Sequence, residues 1–261
     1  MQVNHNRNKS NRRIEERFQA ADGTSLLLRF YLPHEDVSAT KERSVIVLFF
    51  GGGWTFGSPD QFHMQCEYFA SRGMIAVAPE YRVKSRHGVT PFECVEDARA
   101  ALRRIIELSE TFGFSPDKIV VGGGSAGGHL AACSVIAAQA ETNWTCPAAA
   151  MLLFNPALDT STIGLGGRSL EISPIHRIRV GLPPTMIFHG TSDELVPIQS
   201  VFDFQRQMEG HGNLCTIIPY EHREHGFFNY REDGNDDFFD TLRHADHFLV
   251  SHGLLLPKVH E

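Results

Sequence analysis

The sequence lacks the features that mark several classes of protein. It has five cysteines and no C-x-x-C pair, and an odd number of cysteines cannot all pair within one chain. Its longest strand-like apolar run, residues 45–50, is far shorter than the roughly 20 residues that cross a bilayer. Residues 1–17 have no apolar block behind them, so a secretory-signal pattern is missing. We therefore expect reduced, structural thiols, no membrane span and a cytoplasmic protein, with a secreted mature form left open.

The charge balance argues against a nucleic-acid partner. Lysine and arginine number 24 against 31 for aspartate and glutamate, a formal net charge of -7, whereas a protein that binds the phosphate backbone carries a basic excess. Two histidine pairs, His222 with His225 and His244 with His247, have metal-ligand spacing, but no acid or cysteine completes either. We therefore predict no nucleic-acid partner, no metal and no cofactor, and the sequence does not indicate an oligomeric state.

Short apolar runs alternate with longer amphipathic segments along the chain. This alternation is typical of an α/β protein, with a mostly parallel sheet flanked by helices. The predicted strands are residues 26–32, 45–50, 75–78, 119–122, 149–154, 185–189 and 216–220. The predicted helices are residues 61–72, 93–112, 126–139, 198–209 and 236–251, with Gly113 as a stop for the second.

The chain has no repeat, low-complexity tract or linker that would divide it. We therefore expect one domain over residues 1–261, with residues 1–17 as a flexible N-terminal segment. Residues 159–184 lie between two predicted strands and contain glycines and prolines without a clear period. Because long excursions often carry function, this segment is the candidate lid.

The most informative motif is G-x-S-x-G at residues 123–127, between an apolar strand and an alanine-rich helix. A nucleophilic serine stands on a sharp, strained turn, and glycines on either side let the neighbouring chain pass without a clash. The helix that begins at Ala126 offers free N–H groups near Ser125, where an anion can be stabilised. The motif predicts Ser125 as a nucleophile, although a serine that only caps the helix would have the same spacing.

The same stretch also matches the dinucleotide fingerprint G-x-G-x-x-G, at residues 122–127. A dinucleotide site needs an acidic residue near the end of the next strand to hold the ribose. Residues 154–156 read Phe-Asn-Pro at that point, without an acid. We therefore favour the nucleophilic serine and keep a Rossmann dehydrogenase as a distant alternative.

A nucleophilic serine needs a base and an acid that orients the base. In this architecture the acid and then the histidine follow the serine, each just after a later strand. Asp193 follows one such predicted strand, and His222 and His225 both follow the next. Asp159, after the preceding strand, and Glu194 compete with Asp193, which we favour for its position.

Acyl transfer also requires N–H donors that stabilise the developing oxyanion. Three consecutive glycines lie between Phe50 and Trp54, after an early predicted strand. Glycines let the backbone turn its N–H groups inward. We therefore predict that the N–H groups of Gly52, Gly53 and Ala126 form an oxyanion hole.

Together these motifs resemble the α/β-hydrolases of the esterase and lipase group, whose oxyanion loop reads H-G-G-G-W. The resemblance extends from about residue 30 to the C-terminus. It implies an α/β-hydrolase fold of about eight strands with a minimal lid, and a triad of Ser125, Asp193 and His225. His225 is preferred to His222 because Gly-Phe follows it, as in the family. Phe50 stands where the family usually has histidine, so we expect the loss of a side-chain hydrogen bond that steadies the loop.

Residues 81–82, 125–130 and 155–159 resemble bacterial esterases that act on short acyl groups, including sugar-acetate esterases. The resemblance implies a carboxylic ester hydrolase whose partner is a small-molecule ester or an acetylated saccharide. Trp54 and Phe227 are candidate substrate contacts, although core packing explains them equally well. A serine peptidase or amidase on the same fold, and a non-catalytic protein that binds small ligands, are the alternatives.

Overall fold

A single eight-stranded sheet runs through the computed structural model, which describes residues 12–33, 43–137, 144–161 and 166–258. The strands are β1 (Arg12–Gln19), β2 (Ser25–Leu32), β3 (Arg43–Phe49), β4 (Ile75–Pro79), β5 (Phe114–Gly124), β6 (Ala150–Phe154), β7 (Thr185–Gly190) and β8 (Cys215–Tyr220). Their spatial order is β1-β2-β4-β3-β5-β6-β7-β8. β1 and β2 are antiparallel to their neighbours and the other six strands are parallel, which confirms the predicted fold class.

Helices cover both faces of the sheet. They are α1 (His63–Ser71), α2 (Lys84–His87), α3 (Pro91–Glu107), α4 (Ser109–Phe112), α5 (Ala126–Ile136), α6 (Ile198–Gly210) and α7 (Asp236–Ser251). One apolar cluster joins the sheet to α3, α5 and α6, and a second joins the opposite face to α1 and α7. Strand β3 alternates between the two clusters, because successive side chains of a strand point to opposite faces.

The first strand departs from the prediction. Residues 12–17, expected to be flexible, lie in β1, which pairs antiparallel with β2 along its whole length. The polar sequence of β1 concealed it, because an edge strand buries only part of its side chains. The first eleven residues of the predicted flexible segment lie outside the described residues.

The predicted helix 93–112 is two helices. Thr90 caps α3 in a capping box with Glu93, so the helix begins at Pro91, two residues before the predicted start. The helix ends at Glu107, and the short α4 follows and ends at Gly113, whose φ of 72° is the left-handed conformation expected of a stop. In the predicted helix 126–139, the last two residues lie outside the described part of the chain.

The candidate lid, residues 159–184, is described except for residues 162–165. It contains two 3-10 segments, Gly166–Ile172 and Pro174–Arg177. They were not predicted, because the sequence of this excursion has no clear hydrophobic period. Ile172, Ile175 and Leu182 are buried in the cluster that contains α5. Much of the described excursion is therefore anchored to the body of the protein, and its role as a lid stays a prediction.

All five cysteines are buried and unpaired. Burial raises the pKa of four of the thiols, those of Cys94, Cys133, Cys146 and Cys215, to about 12, because a thiolate is poorly solvated in an apolar interior. These cysteines behave as small apolar side chains.

Candidate active site

A cavity of about 810 Å³ opens at the carboxyl ends of the parallel strands. Ligand sites of open α/β sheets lie at this edge. Ser125 and His225 line the cavity, together with Gly51, Gly52, Gly53 and Trp54 from the glycine loop. Three of the sequence-predicted residues, Ala126, Asp193 and Phe227, are not on the cavity wall, and Asp193 lies behind His225.

Ser125 stands on the turn between β5 and α5, with φ at 52° and ψ at −118°. A non-glycine residue with this backbone is strained, as a nucleophile elbow requires. The turn depends on glycine at residue 127, because a Cβ there would lie 2.1 Å from the carbonyl oxygen of Phe49. The close passage of β3 beneath the turn explains this part of the G-x-S-x-G pattern.

Ser125, His225 and Asp193 form one hydrogen-bonded row. The Nε2 atom of His225 lies 2.9 Å from the Oγ of Ser125, and its Nδ1 lies 2.7 Å from Oδ2 of Asp193. An ionised Asp193 can only accept, so Nδ1 donates and Nε2 is left to accept from the serine hydroxyl. The row therefore places Nε2 of His225 within hydrogen-bond reach of the Ser125 hydroxyl.

Asp193 is held by more than the histidine. Its side chain is fully buried, and its Oδ1 accepts hydrogen bonds from the backbone amides of Leu195 and Val196. Burial raises the pKa of Asp193, but the hydrogen bonds from His225 and Val196 outweigh burial and hold the pKa below its usual value. The carboxylate is therefore charged over the whole neutral range.

A second histidine, which sequence reasoning did not single out, lies behind this carboxylate. His189 is fully buried at the end of β7, its Nε2 2.8 Å from the carbonyl oxygen of Val196 and 3.4 Å from Oδ2 of Asp193. Burial lowers the pKa of His189, which keeps the ring neutral with Nε2 as the donor. His189 thus ties the start of the loop that carries Asp193 to Val196 further along it.

The glycine loop has one amide fixed and two unpartnered amides. The Gly51 amide donates to Oε1 of Gln61 at 2.6 Å, and the Nε2 of Gln61 donates to Asn229. Within the described residues, no hydrogen bond joins the Gly52 or Gly53 amide to a protein acceptor. Gly52 has a φ of 122°, and a Cβ there would lie 2.1 Å from the carbonyl oxygen of Phe56, so only glycine fits.

Phe50 replaces the family's histidine with a different kind of support. Its ring stacks on Tyr81 with centroids 4.0 Å apart, and the Tyr81 hydroxyl donates to the Phe50 carbonyl oxygen at 2.8 Å. Gly57 packs directly against the Phe50 ring, since a Cβ at Gly57 would lie 2.6 Å from it. Aromatic stacking and one backbone hydrogen bond therefore hold the start of the loop.

Trp54 lines the cavity, but its indole also has a structural partner. Its Nε1 donates to Nδ1 of His129 at 3.1 Å, and the Nε2 of His129 donates to the Ile172 carbonyl oxygen at 2.6 Å. Burial lowers the pKa of His129 to about 4, so the ring stays neutral and can accept from the indole. This chain of contacts links the glycine loop to the excursion after β6.

Phe227 does not line the cavity, so the structure gives its predicted role as a substrate contact no support. Its ring is buried against Tyr220, with centroids 4.5 Å apart. Its neighbour Phe228 reaches the cavity instead. After the sharp turn that follows β8, residue type alone could not distinguish the two phenylalanines.

The competing candidates lie apart from the row. Asp159 bonds the hydroxyls of Ser161 and Ser173, and no hydrogen bond joins His222 to Ser125 or Asp193 within the described residues. Asn155 is a cavity residue that sequence reasoning missed: its Nδ2 lies 3.1 Å from Nε2 of His225. A polar residue directly after β6 was the available signal. The sequence offered no sign that it would reach the histidine.

The described residues contain no cluster of three or more histidine, cysteine, aspartate or glutamate side chains that could hold a metal ion. In the same ranges, no helix combines the length and apolar character needed to span a membrane. The cavity and the residues behind it bring together a serine, a histidine, a buried carboxylate and backbone amides. This combination on an α/β sheet defines the class of serine hydrolases.

Comparison with known proteins places the chain more closely. Residues 46–166 match a family described as alpha/beta hydrolase fold. The structure of Thermogutta terrifontis esterase 2 phosphorylated by paraoxon is 45% identical, with a TM-score of 0.88, and the match covers 94% of this chain and 96% of that one. The chain belongs to the α/β-hydrolase family, in its esterase and lipase group.

Curated relatives carry the same kind of name. The probable carboxylic ester hydrolase LipM of Mycobacterium tuberculosis is 27% identical over 66% of this chain and 46% of its own length. Carboxylesterase NlhH of the same species is 34% identical over 46% of this chain and 37% of its own length. The chain thus spans about half or less of the length of these two relatives. Both relatives are named as hydrolases of carboxylic esters.

Proposed function

We propose that the chain hydrolyses carboxylic esters of short acyl groups through an acyl-enzyme on Ser125. The observation that carries this proposal is the row of hydrogen bonds from Asp193 through His225 to Ser125, at 2.7 and 2.9 Å. Both distances are within the reach that a nucleophile, its base and the orienting acid require. The strained backbone at Ser125 presents the hydroxyl to the cavity.

The reaction has two steps that use the same three side chains. Ser125 Oγ attacks the ester carbonyl while Nε2 of His225 takes its proton, and Asp193 holds the ring in the required tautomer. The amides of Gly52, Gly53 and Ala126 stabilise the oxyanion, a contribution of about 3 to 4 kcal/mol for a strong donor. His225 then protonates the departing alcohol, and finally activates the water that releases the acid.

The cavity favours a neutral substrate with a small acyl group. Among the described residues that line it, Asp159 and His225 are the titratable ones, and no cation is present to bind a charged acid. The Thermogutta terrifontis esterase has been solved with propionate and with butyrate bound, at 44% and 43% identity to this chain. These acids support acyl groups of three and four carbons, and we extend the proposal to the acetyl group, including that of acetylated saccharides.

A substrate series with a matched pair of serine variants tests the proposal. We expect p-nitrophenyl acetate, propionate and butyrate to be cleaved faster than longer esters, and Ser125→Ala to reduce kcat by about 10⁶-fold. Ser200→Ala is the control, because Ser200 lines the same cavity but donates to the Pro197 carbonyl oxygen. A fluorophosphonate should label the wild type and Ser200→Ala but not Ser125→Ala.

Three other outcomes would indicate a different substrate preference or a different class of protein. A rate maximum at ten or more carbons would rule out the short-acyl preference. Faster cleavage of aminoacyl anilides than of acetate esters would indicate an amidase or peptidase. The absence of both labelling by the fluorophosphonate and turnover of any ester, including acetylated oligosaccharides with acetate release as the readout, would indicate a non-catalytic binding protein.

A further inference from the structure

Asn155 directly follows β6 and has an unusual backbone. Its φ is 35°, and it is one of four described residues other than glycine with positive φ, with Trp54, Ser125 and His222. Three of the four line the cavity, and His222 does not. Strained backbone persists only where the surrounding structure holds it, and it clusters at functional sites. The strain at Asn155 therefore calls for a role in the site.

The side chain of Asn155 contacts the ring of His225. Its Nδ2 lies 3.2 Å from Nδ1 and 3.1 Å from Nε2 of the imidazole. An atom in the ring plane at nearly equal distances from both nitrogens would overlap the Cε1 between them, so the amide lies against the face of the ring. The in-plane positions at the two nitrogens are occupied by Asp193 and Ser125.

The oxygen of the same side-chain amide, Oδ1, lowers the stability of the fold. Asn155 is buried, and its Oδ1 has no hydrogen-bond partner among the described residues. A buried polar atom without a partner opposes folding, and apolar side chains of similar size avoid this cost. Neither the backbone strain nor the unpartnered oxygen is explained by stability, so the contact with His225 is the feature left to account for the residue.

We propose that Asn155 is a positioning residue that holds the His225 ring in the plane of the row; this inference rests on the proposed function. Hydrogen bonds at Nδ1 and Nε2 hold the two edges of the ring, and rotation about the Cβ–Cγ bond of His225 in either sense would swing one of these edges toward the ring face that Asn155 covers. The amide blocks this rotation while the imidazole gains and loses a proton in each catalytic cycle. Nε2 therefore stays aligned first with Ser125 and later with the attacking water.

The test removes the side-chain amide of Asn155 with a residue that accepts the same positive φ. Asn155→Gly tolerates the positive φ and lacks the side chain, and His222→Gly makes the matched change at an exposed positive φ outside the cavity. Active sites are counted by fluorophosphonate titration so that only folded enzyme is compared. We expect Asn155→Gly to lower kcat by about 10- to 100-fold with KM changed less than about twofold, and His222→Gly to match the wild type.

A second variant keeps the shape and changes the charge. Asn155→Asp presents a carboxylate to the ring face, beside the titratable groups already near His225, which are Asp193 and His189. The carboxylate favours the protonated imidazole, so the acidic limb of kcat/KM should move to higher pH. An unmoved limb would show that the side chain of residue 155 does not contact the imidazole, and the positioning role depends on that contact.

The outcomes separate this inference from the proposed function. Asn155→Gly with kcat within twofold of the wild type, or Asn155→Asp with an unmoved acidic limb, overturns the positioning role while Ser125→Ala still abolishes turnover. Ester hydrolysis that survives in Ser125→Ala overturns the proposed function itself. If Asn155→Gly does not fold, the pH profile of Asn155→Asp tests the contact with His225: an unmoved acidic limb overturns the role, and a limb moved to higher pH supports it.

Discussion

Asp159 and Asp193 follow consecutive strands of the same sheet, yet their surroundings differ. The carboxylate of Asp193 is fully buried and bonds two backbone amides and His225. The carboxylate of Asp159 is 37% exposed and accepts from the backbone amide and hydroxyl of Ser161 and from the hydroxyl of Ser173. Its nearest histidine partner, His176, lies 4.0 Å away. One carboxylate is built into the row with Ser125, and the other closes a local turn.

The order of the strands explains the difference. His225 follows β8, and β8 pairs with β7 but not with β6. The loop after β7, which carries Asp193, is therefore the loop that lies beside His225. The chain then returns so that the Leu195 and Val196 amides face the Asp193 carboxylate. An acid after β6 meets the excursion that follows it, and its hydroxyl groups, instead.

The largest test of this contrast is Asp193→Asn. The amide cannot hold His225 in the tautomer that leaves Nε2 free, so we expect kcat to fall by about 10⁴-fold with the fold retained. Steady-state kinetics on acetate esters and circular dichroism measure the two quantities. A fall of less than tenfold would mean that another carboxylate orients the histidine.

A smaller effect is expected from the histidine behind Asp193. His189→Phe keeps the ring shape but removes the donor to Val196, leaving a buried carbonyl oxygen unpaired. We expect the free energy of unfolding to fall by about 1 to 3 kcal/mol and kcat by about tenfold. Urea unfolding and kinetics check both. An unchanged kcat in the folded variant would show that Asp193 needs no support from His189.

Asp159→Asn provides the opposite case. Asn keeps an acceptor for the Ser161 amide, so we expect kcat within about threefold of the wild type and a loss of unfolding free energy of about 1 kcal/mol or less. The same assays apply. A loss comparable with that of Asp193→Asn would make Asp159 the acid and break the contrast.

The smallest expected effect is a pH dependence of stability. Burial raises the pKa of Asp159, but the hydrogen bonds from Ser161 outweigh it and hold the folded-state pKa below 3.8. A lowered folded-state pKa contributes stability above the unfolded value, and that contribution is lost as the pH falls through the folded value. The gap in unfolding free energy between wild type and Asp159→Asn should therefore be constant near pH 6 and shrink below about pH 4. A gap that widens in acid would contradict this assignment.

Apolar runs in the sequence predicted seven of the eight described strands, and the strand without such a run was missed. The seven predicted strands are present because each is an apolar run whose burial is visible in its composition. β1 was missed because its polar residues suit an edge strand, which is recognised only by its pairing with β2. The helix predicted over residues 93–112 was not predicted to divide, because the apolar period continues across Leu108 while the backbone does not.

The sequence by itself determined the serine turn, the glycine loop and the positions of Ser125, Asp193 and His225 after successive strands, because turn geometry and strand periodicity depend on residues close together in the chain. Tertiary structure decided that Phe228 rather than Phe227 faces the cavity, and that Asn155 and His189 support the row. These contacts join residues brought together by strand order and loop return. Their energies depend on burial and distance, which no local pattern in the chain contains.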